Sequence, residues 1–344
     1  MGSTGGVWLT YDARGQQDGL GAQAQRILGI YGVAKALGLN YWHSGIEYLE
    51  PNPGDPFETR VERQRYLEGA NARISLPSTE NRPGIRLPAV GHLTWHQARR
   101  LIFLHRVARK VGQRLLVPVL LPYPWCDRNP ECYDRAVQEM PITTQEPDKG
   151  QGRRRIDVHV RRALAPSDPT LILSQRHISM TWTEKVVLAL LEEFKQQGHQ
   201  VDVRIHTDEP SGKWLVPVDD MSLGTRETLV HDNMIDEQGL LRNPSSTLTT
   251  EVAHWPDTEI CREWDALAIW DSMITADVLV TSASSLSFVA GLMRGTRPVI
   301  APVFWHPGPP RWLSLDSNAK NWSSATVRNW LQNQLNDQRD EYDR

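Results

Sequence analysis

The sequence has few cysteines, no long apolar run and no excess of one charge. Its three cysteines, at positions 126, 132 and 261, are odd in number and lack metal-ligand spacing. This pattern favours a reduced, cytoplasmic protein. No apolar run approaches the roughly 20 residues of a membrane span, and the N-terminus lacks the basic start and apolar stretch of a signal peptide. We therefore expect no integral membrane segment.

The charge balance argues against nucleic acid as a partner. Lys and Arg total 38 against 41 Asp and Glu, so the formal net charge is −3, whereas proteins that bind the phosphate backbone show a strong basic excess. Apolar residues at 40% and charged residues at 23% are typical of a chain that buries a core. The length suits two domains of roughly 150 residues or one large α/β unit.

Apolar patterns with the periods of strands and helices alternate along the chain. The predicted strands are 7–11, 39–43, 115–121, 156–160, 201–206, 278–281 and 298–301. The predicted helices are 25–37, 94–110, 183–197, 263–275 and 326–344. For the polar, Pro/Gly-rich stretch 51–91 we expect short helices and loops. Alternation at this spacing indicates an α/β fold with doubly wound, largely parallel sheets.

A polar segment without aromatic residues, 141–155, is the best candidate for a linker because it carries Pro and Gly. It divides the chain into an N-terminal domain at 1–145 and a second domain at 155–325. A polar helix at 326–344 follows.

Two segments of the second domain carry groups suited to anions. IDVHVRR places Arg161 and Arg162 at the end of a strand, where guanidinium groups can hold a diphosphate at the carboxyl edge of a sheet. TSASSLSFVAG places Ser284, Ser285 and Ser287 at a strand-to-helix turn, where hydroxyl and backbone N–H groups can bind an anion. A solvated basic edge and an ordinary N-cap explain the same residues equally simply.

A glycine turn, DGLGAQAQ, lies near the N-terminus. Gly19 and Gly21 let the backbone approach a ligand closely at the start of a helix. Gly19, Gly21 and Ala24 formally fit the dinucleotide fingerprint. However, the preceding strand ends too early and the next strand lacks the expected acidic residue, so dinucleotide binding is disfavoured.

These three segments together resemble the superfamily that contains the α-1,2- and α-1,6-fucosyltransferases and the protein O-fucosyltransferases. HVRR resembles the His-x-Arg-Arg signature, and GLGAQ is similar to the GLGNQ-type turn that begins the α-1,2 members. The stretch 265–295 resembles their C-terminal block, in which an Asp-led helix, a strand and an S-S-x-S turn succeed one another. Order and spacing agree over roughly 280 residues, while identity is confined to these short blocks.

The resemblance implies a metal-independent, inverting glycosyltransferase without a cofactor. Its fold would be GT-B-like, with two Rossmann-like halves and the nucleotide-sugar site mainly in the C-terminal half. The donor would be GDP-fucose or another GDP-sugar. The acceptor, a glycan or polysaccharide, would lie on the N-terminal half, where Tyr41, Trp42 and Trp95 are candidates to stack on sugar faces.

The resemblance also implies a set of donor-binding residues. Arg161 and Arg162 would hold the diphosphate, and His159 would help to shape the strand end. Gly21 would pack against the nucleotide-sugar, with Gln23 orienting the helix start. The full set is Gly19, Gly21, Gln23, His159, Arg161, Arg162, Asp208, Asp265, Ser284, Ser285 and Ser287, in which the two aspartates are candidates for guanine or ribose contacts.

Two departures from the family pattern affect these expectations. The family continues His-x-Arg-Arg-x-Asp, whereas Ala163 and Leu164 follow here and the next acid is Asp168. This leaves the base and the sugar of the donor open. Ala22 stands where the α-1,2 members carry Asn, which removes a side-chain amide near the diphosphate.

The residues themselves favour a metal-free reaction. A departing nucleoside diphosphate gains negative charge, which either a metal held by an Asp-x-Asp pair or arginine with helix N-termini can neutralise. The sequence contains no Asp-x-Asp triplet. The candidate bases for the acceptor hydroxyl are Asp18 first, then Glu47, then His43. A non-catalytic nucleotide-sugar or glycan-binding module of the same fold is the alternative.

Overall fold

The chain forms two α/β halves, each built on a parallel sheet. The structure is a computed structural model. It describes residues 5–12, 19–49, 60–78, 84–140, 153–161, 178–207, 248–261, 265–303 and 306–342.

The N-terminal half contains five strands and five helices within the described ranges. The strands are β1 (Gly6–Tyr11), β2 (Asn40–Tyr41), β3 (Ile85–Arg86), β4 (Val90–His92) and β5 (Arg114–Leu121). The helices are α1 (Leu20–Ala36), α2 (Arg60–Arg73), α3 (Trp95–Lys110), α4 (Tyr123–Cys126) and α5 (Glu131–Gln138). Their sheet order is β2-β1-β5-β3, with β4 also paired to β5, and every pairing is parallel.

The C-terminal half is a six-stranded parallel sheet in the order β11-β10-β9-β6-β7-β8. The strands are β6 (Arg153–Val160), β7 (Gln200–Thr207), β8 (Thr258–Cys261), β9 (Val278–Val280), β10 (Val299–Pro302) and β11 (Leu313–Leu315). The described helices are α6 (Met180–Gln196), α7 (Leu248–Glu251), α8 (Ala266–Thr275), α9 (Ser285–Met293) and α10 (Ser324–Tyr342). The prediction of a GT-B-like fold with two Rossmann-like halves is confirmed.

Local sequence signals set many of these boundaries. Thr94 and Gln97 form a reciprocal capping box at the start of α3, and Gly38 ends the α1 region with φ at +65°. Ser179 caps α6 through the backbone N–H of Trp182. Among the helices of the described ranges, none has both the length and the hydropathy to cross a membrane.

One expectation about the secondary structure needs correction. Residues 153–155, expected at the end of a linker, begin β6, where their arginines pair with Asp202, Asp277 and Asp157 respectively. The stretch 51–91, where short helices and loops are expected, contains the 14-residue helix α2. The division at 1–145 and 155–325 stays a prediction, because residues 141–152 lie outside the described ranges.

The two faces of the C-terminal sheet enter different hydrophobic cores. Val158 and Val160 pack with α6 and with Val327 and Leu331 of α10, so the polar terminal helix covers one face. Leu279 and Val299 join a second core that contains α8, α9 and the whole N-terminal half. This second core therefore joins the two halves by continuous apolar burial, the main stabilising term in folding.

Close helix packing holds the halves together at one point. A Cβ on Gly21, in the first turn of α1, would lie 2.4 Å from the backbone nitrogen of Leu286 in the first turn of α9. Only glycine allows the two backbones this approach. A second contact crosses between the halves where His306 Nδ1 lies 2.8 Å from Asp127 Oδ1.

We predict that Gly21→Ala lowers the free energy of unfolding by about 1–3 kcal/mol, because the new methyl group forces α1 away from α9. Denaturant titration measures the change. Gly91→Ala is the matched control, since a Cβ there meets no atom within 4 Å. Equal stabilities of the two variants would contradict the proposed contact.

Candidate functional site

The strand order of the C-terminal sheet defines a crevice. From β6 the chain continues to β7 on one side, while β9 and β10 lie on the other side. Open α/β sheets bind ligands beyond the carboxyl ends of their strands where the order reverses in this way. Arg161 directly follows β6, and the serine turn at 281–284 directly follows β9. The fold thus brings two of the sequence motifs to adjacent strand ends.

A hydrogen bond between buried side chains spans this crevice at its base. His159 Nδ1 lies 2.7 Å from the hydroxyl oxygen of Ser282, so the end of β6 is tied to the turn after β9. His159 faces His206 across the β6–β7 pairing. The donor-site role implied for His159 stays a prediction.

The buried imidazole is held neutral. Burial is the largest cause, followed by the nearby His206 and Arg161, and together they lower the pKa of His159 to about 3. A neutral imidazole adds no competing charge beside Arg161. Arg161 itself is partly exposed at the mouth of the crevice, which leaves its guanidinium group within reach of an anion from solvent.

The serine turn uses most of its hydroxyl groups internally. Ser284 is the N-cap of α9 and accepts from the backbone N–H of Leu286, while Ser287 Oγ donates to the carbonyl oxygens of Ser282 and Ser284. Of the three predicted serines, Ser285 is the one that is not fully buried. The backbone N–H groups of the first turn of α9, with the Ser285 hydroxyl, are therefore the groups best placed to contact a phosphate.

The glycine turn reaches the same place from the N-terminal half. Gly19 is the N-cap residue of α1 and, having no side chain, forms no capping hydrogen bond. Gly21 packs on the backbone of Ser285 and Leu286. The N-termini of α1 and α9 therefore converge, and both helix dipoles present their positive ends there. The close packing of α1 on α9 is sufficient to explain a glycine at position 21. Its predicted contact with a nucleotide-sugar stays a prediction.

Gln23 organises the N-terminal side of this region. Its side chain is fully buried, accepts from the Tyr11 hydroxyl at 3.2 Å and donates to the Tyr48 carbonyl oxygen at 2.7 Å. These bonds join the end of β1, the first turn of α1 and the segment that follows β2. The role in donor binding that the resemblance implies for Gln23 stays a prediction.

The segment 43–48 carries two of the three predicted bases. It is anchored by Ser44 Oγ, which donates to the Tyr11 carbonyl oxygen at 2.6 Å. Asn71 of α2 also bonds both the backbone N–H and the carbonyl of Ile46. Glu47 is exposed. His43 is only partly exposed, and its partial burial lowers the pKa of its imidazole. The first-ranked base, Asp18, lies outside the described residues.

Three other predicted donor contacts have different outcomes. Arg162 and Asp208 lie outside the described residues. Asp265 is the N-cap of α8, and its carboxylate accepts from the backbone N–H groups of Leu267 and Ala268. That capping role is complete without a ligand, and its contact with guanine or ribose stays a prediction.

The structure also reveals buried polar groups that the sequence reasoning missed. Asp157, two residues before His159, is fully buried and accepts from His206 and from the Ser272 hydroxyl at 2.8 and 2.7 Å. Although burial alone would raise the pKa of Asp157, these partners and Arg155 lower it. The only sequence signal that could have revealed Asp157 is its position two residues before a histidine in a strand, because side chains at i and i+2 share a face.

One expectation about the aromatic residues is wrong. Tyr41 is buried and packs edge-to-face on Tyr31 at 4.9 Å, so its face is not open to a sugar. Trp95 is 58% exposed and stacks on Trp125, with the ring centres 5.0 Å apart.

Comparisons with known proteins show only low structural similarity. No protein-family model matches the sequence, and no curated protein matches it. The E. coli heptosyltransferase WaaC with ADP is 10% identical, covering 95% of this chain and 99% of its own, with a TM-score of 0.40. POFUT1 in complex with GDP is 12% identical; the match covers 92% of this chain and 100% of the POFUT1 chain, with a TM-score of 0.39.

A third solved structure is the glycosyl transferase family 9 protein from Veillonella parvula. It is 10% identical, covers 96% of this chain and 97% of its own, and has a TM-score of 0.36. These structures are glycosyltransferases by their names. Because every TM-score is below 0.5, nothing about donor, acceptor or activity is taken from them.

We predict that His159 makes stability fall on acidification. The unfolded histidine binds a proton below pH about 6.5, whereas the folded one stays neutral until about pH 3. As the pH falls from about 6.5 to about 3, the free energy of unfolding therefore decreases by up to about 1.4 kcal/mol per pH unit. Above pH about 6.5, His159 does not change the stability. His159→Asn should flatten the profile by that amount in denaturant titrations.

The matched control for this experiment is His96→Asn, at an exposed position, which should keep the wild-type slope. A His159→Asn profile parallel to that of the wild type would contradict the buried, neutral imidazole.

Proposed function

We propose that the chain is a metal-independent, inverting glycosyltransferase that takes a sugar, fucose in first place, from a nucleoside diphosphate sugar. GDP is the proposed nucleotide, on the strength of the resemblance to the fucosyltransferase superfamily. The acceptor is a glycan or polysaccharide. The observation that carries the proposal is that Arg161 follows β6 and the serine turn follows the neighbouring strand β9, with His159 bonded to Ser282 at these strand ends.

The proposed donor site is suited to a departing diphosphate. Arg161 supplies a fixed positive charge and a bidentate donor, and the first turn of α9 supplies backbone N–H groups and the positive end of its dipole. The first turn of α1 adds a second helix N-terminus, because Gly21 holds it against α9. Groups preorganised in this way stabilise charge that develops in the transition state.

The proposed reaction is a single displacement. The acceptor hydroxyl oxygen attacks the anomeric carbon from the face opposite the diphosphate, and the bond to the diphosphate oxygen breaks with its electron pair. The hydroxyl proton passes to a base, for which Asp18 is proposed first, then Glu47, then His43. Two of these candidates, Glu47 and His43, belong to the anchored 43–48 segment, which Gln23 ties to the start of α1. Asp18 lies outside the described residues.

The alternative is a binding module of the same fold that lacks a base. It would use the same arginine and helix ends to hold a nucleotide-sugar and would transfer nothing. The buried polar contacts around His159 favour neither candidate over the other, so the two are separated by variants that affect binding and turnover differently.

We predict that Arg161→Ala reduces both GDP affinity and sugar transfer, with transfer falling about 100- to 1,000-fold, the range measured for loss of one transition-state donor. Asp18→Asn should leave GDP affinity unchanged and lower transfer about 100- to 10,000-fold, the typical contribution of general base catalysis. Calorimetry with GDP and product analysis with GDP-fucose measure the two quantities.

Arg204→Ala is the matched control, because this arginine lies inside β7, pairs with Glu259 of β8 and does not follow a strand end. Full transfer by Arg161→Ala would refute the diphosphate site. An unchanged rate in Asp18→Asn would remove Asp18 as the base, and GDP binding without any transfer by the wild-type protein would favour the binding module.

A further inference from the structure

One stretch of the chain has a charge pattern opposite to that of the whole. Between residues 81 and 126 there is no Asp or Glu, although the full chain has a net charge of −3. The same stretch contains eight cationic residues, which are Arg82, Arg86, Arg99, Arg100, Arg106, Arg109, Lys110 and Arg114. Five of the eight belong to α3.

The structure places the α3 cations on the outer side of the helix. Ala98, Leu101, His105 and Ala108 are buried, so this side of α3 packs on the N-terminal half. Arg99, Arg106 and Lys110 are exposed and are spaced seven and four residues apart, which puts them on one helix face. Within the described part of the chain, none of these three forms an ion pair with a carboxylate.

Large apolar side chains lie among these cations. Phe103 is 69% exposed, Val107 is 40% exposed, and Val111, directly after the helix, is 62% exposed. Phe103 lies four residues after Arg99 and seven before Lys110, at the centre of the cationic face. We call the exposed side chains of Arg99, Phe103, Arg106, Val107, Lys110 and Val111 the α3 face.

We propose that the α3 face docks the protein on the surface of an anionic phospholipid bilayer. A basic helix with bulky apolar residues on its outer side lies in the plane of a membrane interface, where anionic headgroups attract the cations and the apolar groups enter the acyl boundary. Phe103 and Val107 can enter the acyl boundary, an apolar phase that a nucleic-acid backbone does not supply.

This docking would not depend on the proposed transferase activity. The α3 face is made by side chains on the outside of the N-terminal half, and none of them belongs to the crevice at the ends of β6 and β9. Binding to vesicles and binding to GDP are therefore separate measurements, and either proposal can fail without the other.

The test is co-sedimentation of the full chain with vesicles of phosphatidylcholine, with or without phosphatidylglycerol, at low and at physiological salt. We expect binding to the anionic vesicles that weakens with salt. Arg99→Gln with Arg106→Gln and Lys110→Gln should weaken it about 100-fold, since each cation near such a surface contributes about fivefold. Phe103→Ser should weaken it about tenfold without changing the salt dependence.

The matched control is Leu188→Ser with Lys195→Gln on α6, which removes one exposed apolar side chain and one exposed cation from another helix. This variant should bind as the wild type does. Absence of binding to anionic vesicles, or equal binding by the control and the α3 variants, would overturn the proposal. Binding of a DNA oligonucleotide in place of vesicles, lost in the same α3 variants, would also overturn it.

Discussion

The close contact between the first turns of α1 and α9 determines how the two halves meet. Gly21 lies against the backbone of Ser285 and Leu286 at a distance that no other residue allows. Because the two helices touch at their N-termini, two positive dipole ends and the carboxyl edge of the C-terminal sheet share one region. The apolar core continues around this contact from one half to the other. This backbone-to-backbone approach is thus one of the contacts that form the crevice.

The polar face of β6 gives this region its electrostatic character. The buried Asp157 accepts from His206 and Ser272 through Oδ2, and its Oδ1 lies 3.0 Å from Arg155 Nε. His159 stays neutral and bonds to Ser282, and the charge of Arg161 at the strand end has no cationic imidazole beside it. Side chains two residues apart share one face of a strand, so a buried acid, a neutral linking residue and a partly exposed cation follow one another along this face.

The sequence alone predicted the elements well where apolar periodicity is strong. Strands β1, β5, β6 and β7 and helices α3 and α6 lie within three residues of their predicted bounds. The bounds of the polar helix α2 were not predicted because its residues lack an apolar stripe, and the arginines at 153–155 were assigned to a linker because their carboxylate partners are distant in sequence. The motifs located Arg161 and the serine turn. The contacts of Ser282, His206 and Gly21 depend on pairings across more than 45 residues, which local patterns do not encode.

The most direct test of the account is whether the crevice binds a nucleoside diphosphate without a metal. Thermal unfolding in the presence of GDP, UDP, CDP, dTDP or ADP, each with and without EDTA, measures this, because a ligand that binds only the folded state raises Tm. The account predicts that GDP raises Tm more than the other nucleotides do and that EDTA leaves the shift unchanged. No shift with any nucleotide on folded protein, or a shift that EDTA abolishes, would contradict it.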